Sequence, residues 1–275
     1  MPLSKIQDIG NQVVPNLGSR NMIINGDFKV AQRGTSSTTS GMQTVDRMNL
    51  IHSGTDESPT QAQVDVASGT TPYSLGFRKA FRVTNGNQTS GAGAADFIQY
   101  EQGIEASRIH PYGWDSTSTS SNITMSFWVK SSVATTFLGS LRATDSTKIY
   151  NWDTGALSTN TWTKVTKTIP GASGVTINND NGLGLQWLLW PYLGTNYTGG
   201  GTPNAWKAHD SNDWGASAAS TSWYTTNDAT FEITGLQIEV GDTATEFEHR
   251  SFGEELALCQ RYYYKNMDSP PADNI

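Results

Sequence analysis

The chain has 275 residues, a formal net charge of −7 and one cysteine, and charged residues make up 16% of it, against roughly 25% in ordinary soluble domains. A negative balance with no cluster of Lys and Arg argues against nucleic acid. No run is long and apolar enough to cross a bilayer, and the opening "MPLSKIQDIG" lacks the apolar core of a signal peptide.

A single cysteine cannot close an intramolecular disulfide, which points to folding in a reducing cytoplasm. Thr, Ser, Asn and Gly fill the place of the missing charges, a composition suited to strands and turns. Nine tryptophans and ten tyrosines supply apolar area for a large core, with some left over for binding.

In chain order, residues 1–20 come first. Ile6, Ile9, Val13 and Leu17 follow a helical stripe, but Gly10 and Pro15 weaken it. A short helix and an extended arm are expected, either a frayed terminus or an anchor that docks against copies of itself or a larger assembly. From 21 to 250 the period is two. In "ITMSFWVK", Ile123, Met125, Phe127 and Val129 share one face, with Thr124, Ser126, Trp128 and Lys130 on the other. That leaves Trp128 either outward-facing or covered by another element.

In "FEITGLQIEVG", Leu236, Ile238 and Val240 alternate with Gln237 and Glu239. "QAQVDVAS", "FRKAFRVTNG", "DFIQYEQGIE", "TWTKVTKTIPG" and "GLQWLLWPYLG" are further strands, punctuated by turn clusters such as "TNGNQTSGAGA" and "DSTSTSSN". Short strands with no helix between them predict an all-β, antiparallel sandwich with no internal domain break.

Residues 251–275 read as a helix and tail. Ser251 followed by Glu254 fits a capping box. Phe252, Leu256, Cys259 and Tyr263 form one apolar stripe, so Cys259 is expected to be a buried hydrophobe, and the helix should end near Lys265.

Chemistry is sparse. Catalysis at Cys259 would need an activating base, and His249, though near in sequence, need not lie beside it. The adjacent Glu254 and Glu255 point to different sides of a helix and suit its positive start. His52, His110, His209 and His249 are scattered. A glycosidase would need two carboxylates flanking one bond. Asp210, Asp213, Asp228 and Glu232 are available, but nothing in their spacing specifies catalysis, so no enzymatic activity is expected. Asp210, Asn212 and Asp213 in "HDSNDWG" are the hard oxygen ligands that calcium prefers.

The best-motivated chemistry is sugar binding. Trp190, Tyr192, Tyr197, Trp206, Trp214, Trp223 and Tyr224 lie among small polar residues, where aromatic faces can stack on pyranose rings. About half of them are expected to be core or subunit contacts.

"NMIINGDFKVAQRGTS" near the start and "GLQIEVGDTATEFEHRSFGEELALCQRYYYK" at the end resemble the bracketing motifs of a module common in tailed-bacteriophage fibre and receptor-binding proteins. "TVDR", "QYEQGIE", "ITMSFWVKSS" and "TWTKVTKTIPG" fall between them in the expected order. "NGDF" also resembles the first strand of jelly-roll carbohydrate-binding modules.

The resemblance implies a jelly-roll sandwich on a virion, made in the host cytoplasm and joined to other tail or fibre proteins. It also implies a homo-oligomer, expected to be a trimer, with host surface polysaccharide as target and calcium as a plausible structural ion. The alternative is a purely structural virion protein, a connector, adaptor or capsid decoration. The segment from Trp187 to Trp223 matches no family pattern, and that is where specificity would reside.

Overall fold

A computed structural model of the chain describes residues 19–199 and 202–265. The arm expected over residues 1–20 and the tail after Lys265 therefore lie almost wholly outside the described residues. The strands are β1 (Ser36–Ser37), β2 (Asn49–Ser53), β3 (Thr60–Asp65), β4 (Lys79–Thr84), β5 (Phe97–Glu105) and β6 (Asn122–Ser131). They continue with β7 (Thr136–Ala143), β8 (Lys148–Ala156), β9 (Thr163–Pro170), β10 (Leu183–Leu193), β11 (Trp206–Ala208) and β12 (Thr230–Val240).

The strands form two antiparallel six-stranded sheets, ordered β1-β3-β4-β12-β6-β9 and β11-β8-β7-β10-β5-β2. The result is the all-β jelly-roll sandwich. Two four-residue helices, α1 (Thr71–Ser74) and α2 (Ala106–Ile109), interrupt it, and α3 (Phe252–Gln260) follows it.

Alternation explains which face of each strand turns inward. Ile123, Met125, Phe127 and Val129 of the first sheet meet Tyr100, Leu141, Trp152, Trp187 and Leu189 of the second in one continuous core. The predicted alternation of β12 holds only on its inner side. Leu236 and Ile238 enter the core, but Gln237 and Glu239 are buried too and Val240 is exposed. The reason is that the chain after β12 folds back over the outer face: the Glu239 carboxylate accepts Thr245 N–H (2.8 Å) and Thr245 Oγ1–H (2.7 Å).

The two bracketing motifs turn out to be one structure. Residues 21–26 lie along β12: Met22 N–H donates to Ile238 O and Leu236 N–H to Gly26 O (both 2.9 Å). Asn21 Nδ2 donates to Leu236 O, and its Oδ1 accepts Ile238 N–H. At this place β12 carries a register shift between Thr234 and Gln237, with Gly235 at φ 67°. Asn25 adopts φ 60°, a left-handed position that asparagine tolerates, and its amide donates to Val30 O and Asp46 O (both 2.9 Å).

The far ends of the same motifs also meet. The Arg33 guanidinium lies 3.5 Å over the Tyr263 ring and that of Arg47 3.6 Å over Tyr262. Gln32 Nε2 donates to Tyr263 O.

Helix α3 begins with the predicted capping box, Ser251 N–H donating to Glu254 Oε2 (2.8 Å) and Glu254 N–H to Ser251 Oγ. These hydrogen bonds, the Ser251 backbone N–H first, hold the Glu254 carboxyl below its ordinary value. A depressed acid stabilises the fold above its unfolded value and loses that contribution as pH falls through the folded one. The protection factors of the first-turn amides, corrected for the intrinsic pH dependence of exchange, are therefore expected to fall on acidification below the usual glutamate range, and the Glu254→Gln protein should lack that step.

The expected apolar stripe needs correction. Phe252 is 57% exposed, and the inward line is Glu255 and Cys259, with Leu256, Leu258 and Tyr262 partly covered. The helix stops at Gln260 rather than near Lys265. A stripe read by hydrophobicity could not foresee that a carboxylate would be drawn inward by a waiting arginine: Arg250 Nη1 lies 3.5 Å from Glu255 Oε1.

Candidate functional site

The segment between β10 and β12 folds back over the outer face of the second sheet. It adds β11 to the edge of β8, pairing Trp206 with Tyr150 and Ala208 with Lys148. Outward residues of β10 and β7, Leu188, Trp190, Leu193 and Leu138, then form an apolar shelf under Tyr197, Trp214 and Ala219.

The shelf ends in a hollow of about 120 Å³ lined by Phe97, Gln99, Trp190, Leu193, Tyr197 and Trp214. Trp190 Nε1–H donates to Gln99 Oε1 (3.2 Å). The rings of Trp190 and Trp214 meet edge-on at 6.3 Å, and those of Phe97 and Tyr197 at 5.6 Å.

Beside the hollow the same face turns polar. Alternation puts Gln99 and Glu101 of β5, Gln186 of β10 and Arg142 of β7 outward, with Gln186 paired directly with Arg142 across the ladder. Gln99 Nε2 donates to Glu101 Oε2 (2.9 Å). Arg142 Nη1 reaches Gln186 Oε1 only at 3.4 Å, and its guanidinium carbon stands 5.5 Å from the Trp214 ring centre. Burial lowers the Arg142 pKa from its ordinary value. It also lowers that of His209, where the Arg142 charge adds to the effect.

The seven aromatic candidates therefore divide. Tyr197, Trp206 and Trp214 are half-buried. Trp206 packs on Tyr150 at 5.6 Å and donates to Pro170 O, at the β8 edge and away from the hollow. Trp190 is 1% exposed and serves as the floor of the shelf. Tyr192, Trp223 and Tyr224 are corrections to the sequence reading, because they are sealed in the core. Tyr192 stacks on Tyr224 at 4.1 Å, Tyr224 OH donates to Asp96 Oδ2 and Trp223 Nε1–H to Thr230 O. They close the sandwich and cannot stack on a ligand.

The calcium candidates do not converge. Lys207 Nζ takes the Asp213 carboxylate at 2.9 Å, Asp210 Oδ1 accepts Asn212 N–H within its own turn, and Asn212 lies exposed beside it. Among the described residues no three His, Cys, Asp or Glu side chains come together as a metal site would require. The loose carboxylates do not pair either. Glu232 sits in the first sheet, bound by Lys130 at 2.8 Å, whereas Asp213 lies in the loop after β11, which joins the second.

Cys259 is buried with Ile24 and Val30, and burial pushes its thiol pKa far up. His249 is elsewhere, its Nε2 2.9 Å from Leu75 O and its ring against Phe77 and Phe247. The Cys259→Ser protein is expected to lose about 2 kcal/mol of stability, the cost of burying an unsatisfied hydroxyl. Urea melts of the two proteins check it.

Trp128, whose outward position raised a question, lines a second hollow of about 190 Å³ with Phe77, Lys164 and Phe247 on the opposite sheet. The polar residues missing from the sequence reading are Gln99, Glu101, Arg142 and Gln186. On single strands they look like any solvated positions, and only the order of β5, β10 and β7 assembles them.

No protein-family model matches the chain, and no curated protein matches it in sequence. Among solved structures, it is similar to the enzymatically active domain of tailspike protein 4 of bacteriophage CBA120, at 10% identity and TM-score 0.42, covering 80% of this chain and 21% of that one. The chain thus spans about a fifth of that domain's length. It is similar also to a CBM4 structure (13% identity, TM-score 0.37, 79% and 98% coverage). A third is the CBM22-2 xylan-binding domain of Paenibacillus barcinonensis Xyn10C (14% identity, TM-score 0.35, 70% and 91% coverage). At such identities the likeness extends no further than a β-sandwich.

Proposed function

We propose that the protein is a non-catalytic receptor-binding component of a tailed-phage fibre, and that it holds host surface polysaccharide on the outer face of its second sheet. The observation that carries the reading is the hollow floored by Trp190 and walled by Phe97, Tyr197 and Trp214, beside Gln99, Glu101, Gln186 and Arg142. Aromatic faces next to amides and charges offer what a sugar ring needs: apolar contact for its C–H faces and hydrogen bonds for its hydroxyls. The phage assignment and the trimer rest on the resemblance of the bracketing motifs.

The test is whether purified protein binds intact host cells and competes with phage adsorption. Trp214→Ala is expected to weaken binding about 30-fold, as for a central aromatic anchor worth about 2 kcal/mol, with glycan length unchanged after incubation. Equal affinity of the Trp214→Ala protein would move the site off this face, and shortened glycan would make the protein an enzyme. One observation favours the connector role as a second reading. Phe252 and Tyr264 are 57% and 65% exposed at the C-terminal end of the fold, as residues awaiting a neighbouring subunit would be. No binding by a correctly assembled oligomer would favour that role.

A further inference from the structure

On this same face, Arg142 has no carboxylate in contact with it, and the nearby Glu101 charge opposes the effect of its burial only in part. Its Nε is sealed from solvent and has no partner, and its single side-chain hydrogen bond among the described residues is the long one to Gln186. No carboxylate among the described residues lies within ion-pair distance of it. A half-buried guanidinium held this way loses hydration without regaining it from the protein, and a group left so in a native fold calls for a partner from outside.

The other cations nearby are cancelled or absent. Lys207 is neutralised by Asp213, and the His209 pKa is depressed, which leaves that imidazole uncharged near neutral pH. Positive charge on the polar row is therefore concentrated at Arg142. On β5, Glu101 stands opposite Leu188, diagonal to Gln186, an acceptor-only carboxylate that takes a hydrogen bond from the Gln99 amide.

We propose that the glycan bound here carries a sugar carboxylate, a hexuronate or similar acid, seated on the Arg142 fork, while ring hydroxyls of the same or the adjoining residue donate to Glu101. This deepens the glycan-binding reading and rests on it. A planar guanidinium matches a carboxylate through two parallel N–H···O bonds. Glu101 repels a carboxylate placed on its own side, so the pair fixes which way round the ligand lies. The aromatic hollow at Trp190 and Trp214 then takes an uncharged neighbouring ring.

Titration calorimetry with the intact protein tests this, using three oligosaccharides of equal length: one containing hexuronate, its carboxyl-reduced counterpart, and a sulfated neutral one. The uronate form is expected to bind at least about tenfold tighter than the reduced form, the range of a charge-assisted hydrogen bond. In the Arg142→Gln protein the two affinities should converge. Arg142→Lys, which keeps charge and stem but loses the fork, should recover only part of the difference. A melting curve matching that of the parent protein guards against a folding defect.

Equal affinity for acidic and reduced forms would overturn the carboxylate assignment and leave the glycan site standing. Preference for the sulfated ligand over the uronate would overturn it in favour of an ester anion. Binding of none of the three would remove the glycan reading and this inference together.

Discussion

Replacing Arg250 by alanine is expected to cost about 3–5 kcal/mol, the range for breaking a buried ion pair by removing one partner. The guanidinium is 9% exposed and lies 3.2 Å from Glu248 and 3.5 Å from Glu255. It also donates to Asn21 O (2.6 Å) and Ile23 O (3.0 Å). It thus ties the chain after β12, the start of α3 and the 21–26 segment to one group. Without it Glu255, 3% exposed, keeps only the Asn25 N–H. Burial already raises the Glu255 pKa above its ordinary value, and the opposing Arg250 charge would be lost. Urea unfolding at neutral pH reads the loss. A double-mutant cycle with Glu255→Gln should return a coupling above 1 kcal/mol, as residues sharing one network do.

The second large effect is expected at Gly26. A Cβ there would lie far inside contact distance of the Leu236 carbonyl oxygen, with the Ile23 side chain close behind. Neither obstacle is the flexible end of a long side chain, so the 21–26 segment would have to peel from β12. Gly26→Ala should cost about 3 kcal/mol, at the upper end of overpacking penalties, and should abolish protection of the Leu236 amide, which donates to Gly26 O. Gly91→Ala provides the contrast: its φ of 80° imposes backbone strain but nothing stands in the way of a Cβ. Melting curves of the two proteins therefore separate steric collision from strain alone.

The sequence carried the architecture well where one period ruled. The row Ile123, Met125, Phe127, Val129 and the Ser251/Glu254 cap are local signals, and both stand in the fold. β7 and β8 were not anticipated. Gly139 and Ser140 interrupt the apolar pattern of one, and Asn151 and Asp153 that of the other, yet Ser140 and Asn151 are fully buried and hydrogen-bonded to each other.

Aromatic content was a weaker guide to the site than strand neighbours. Trp223 and Tyr224 sit in a polar segment that reads as a surface loop, but Trp223 meets Phe137 and Phe231, and Tyr224 meets Tyr192, inside the sandwich. Gln99 and Glu101 of β5 lie more than 40 positions from Arg142, and Arg142 lies 44 positions from Gln186, so no window along the chain could join them; Arg142 and Gln186 pair only because β7 and β10 are adjacent.

The clasp between the bracketing motifs has a consequence for how such a fold can be transplanted. Ser19, Leu258 and Arg261 line the same hollow, so the described chain enters the sandwich and leaves it at one corner. A unit with adjoining entry and exit can be spliced into a surface turn of a foreign host protein without prising that host apart, because two closely spaced attachment points ask little of the receiving scaffold. The sandwich then travels as a cassette, closed by its own clasp rather than by whatever carries it.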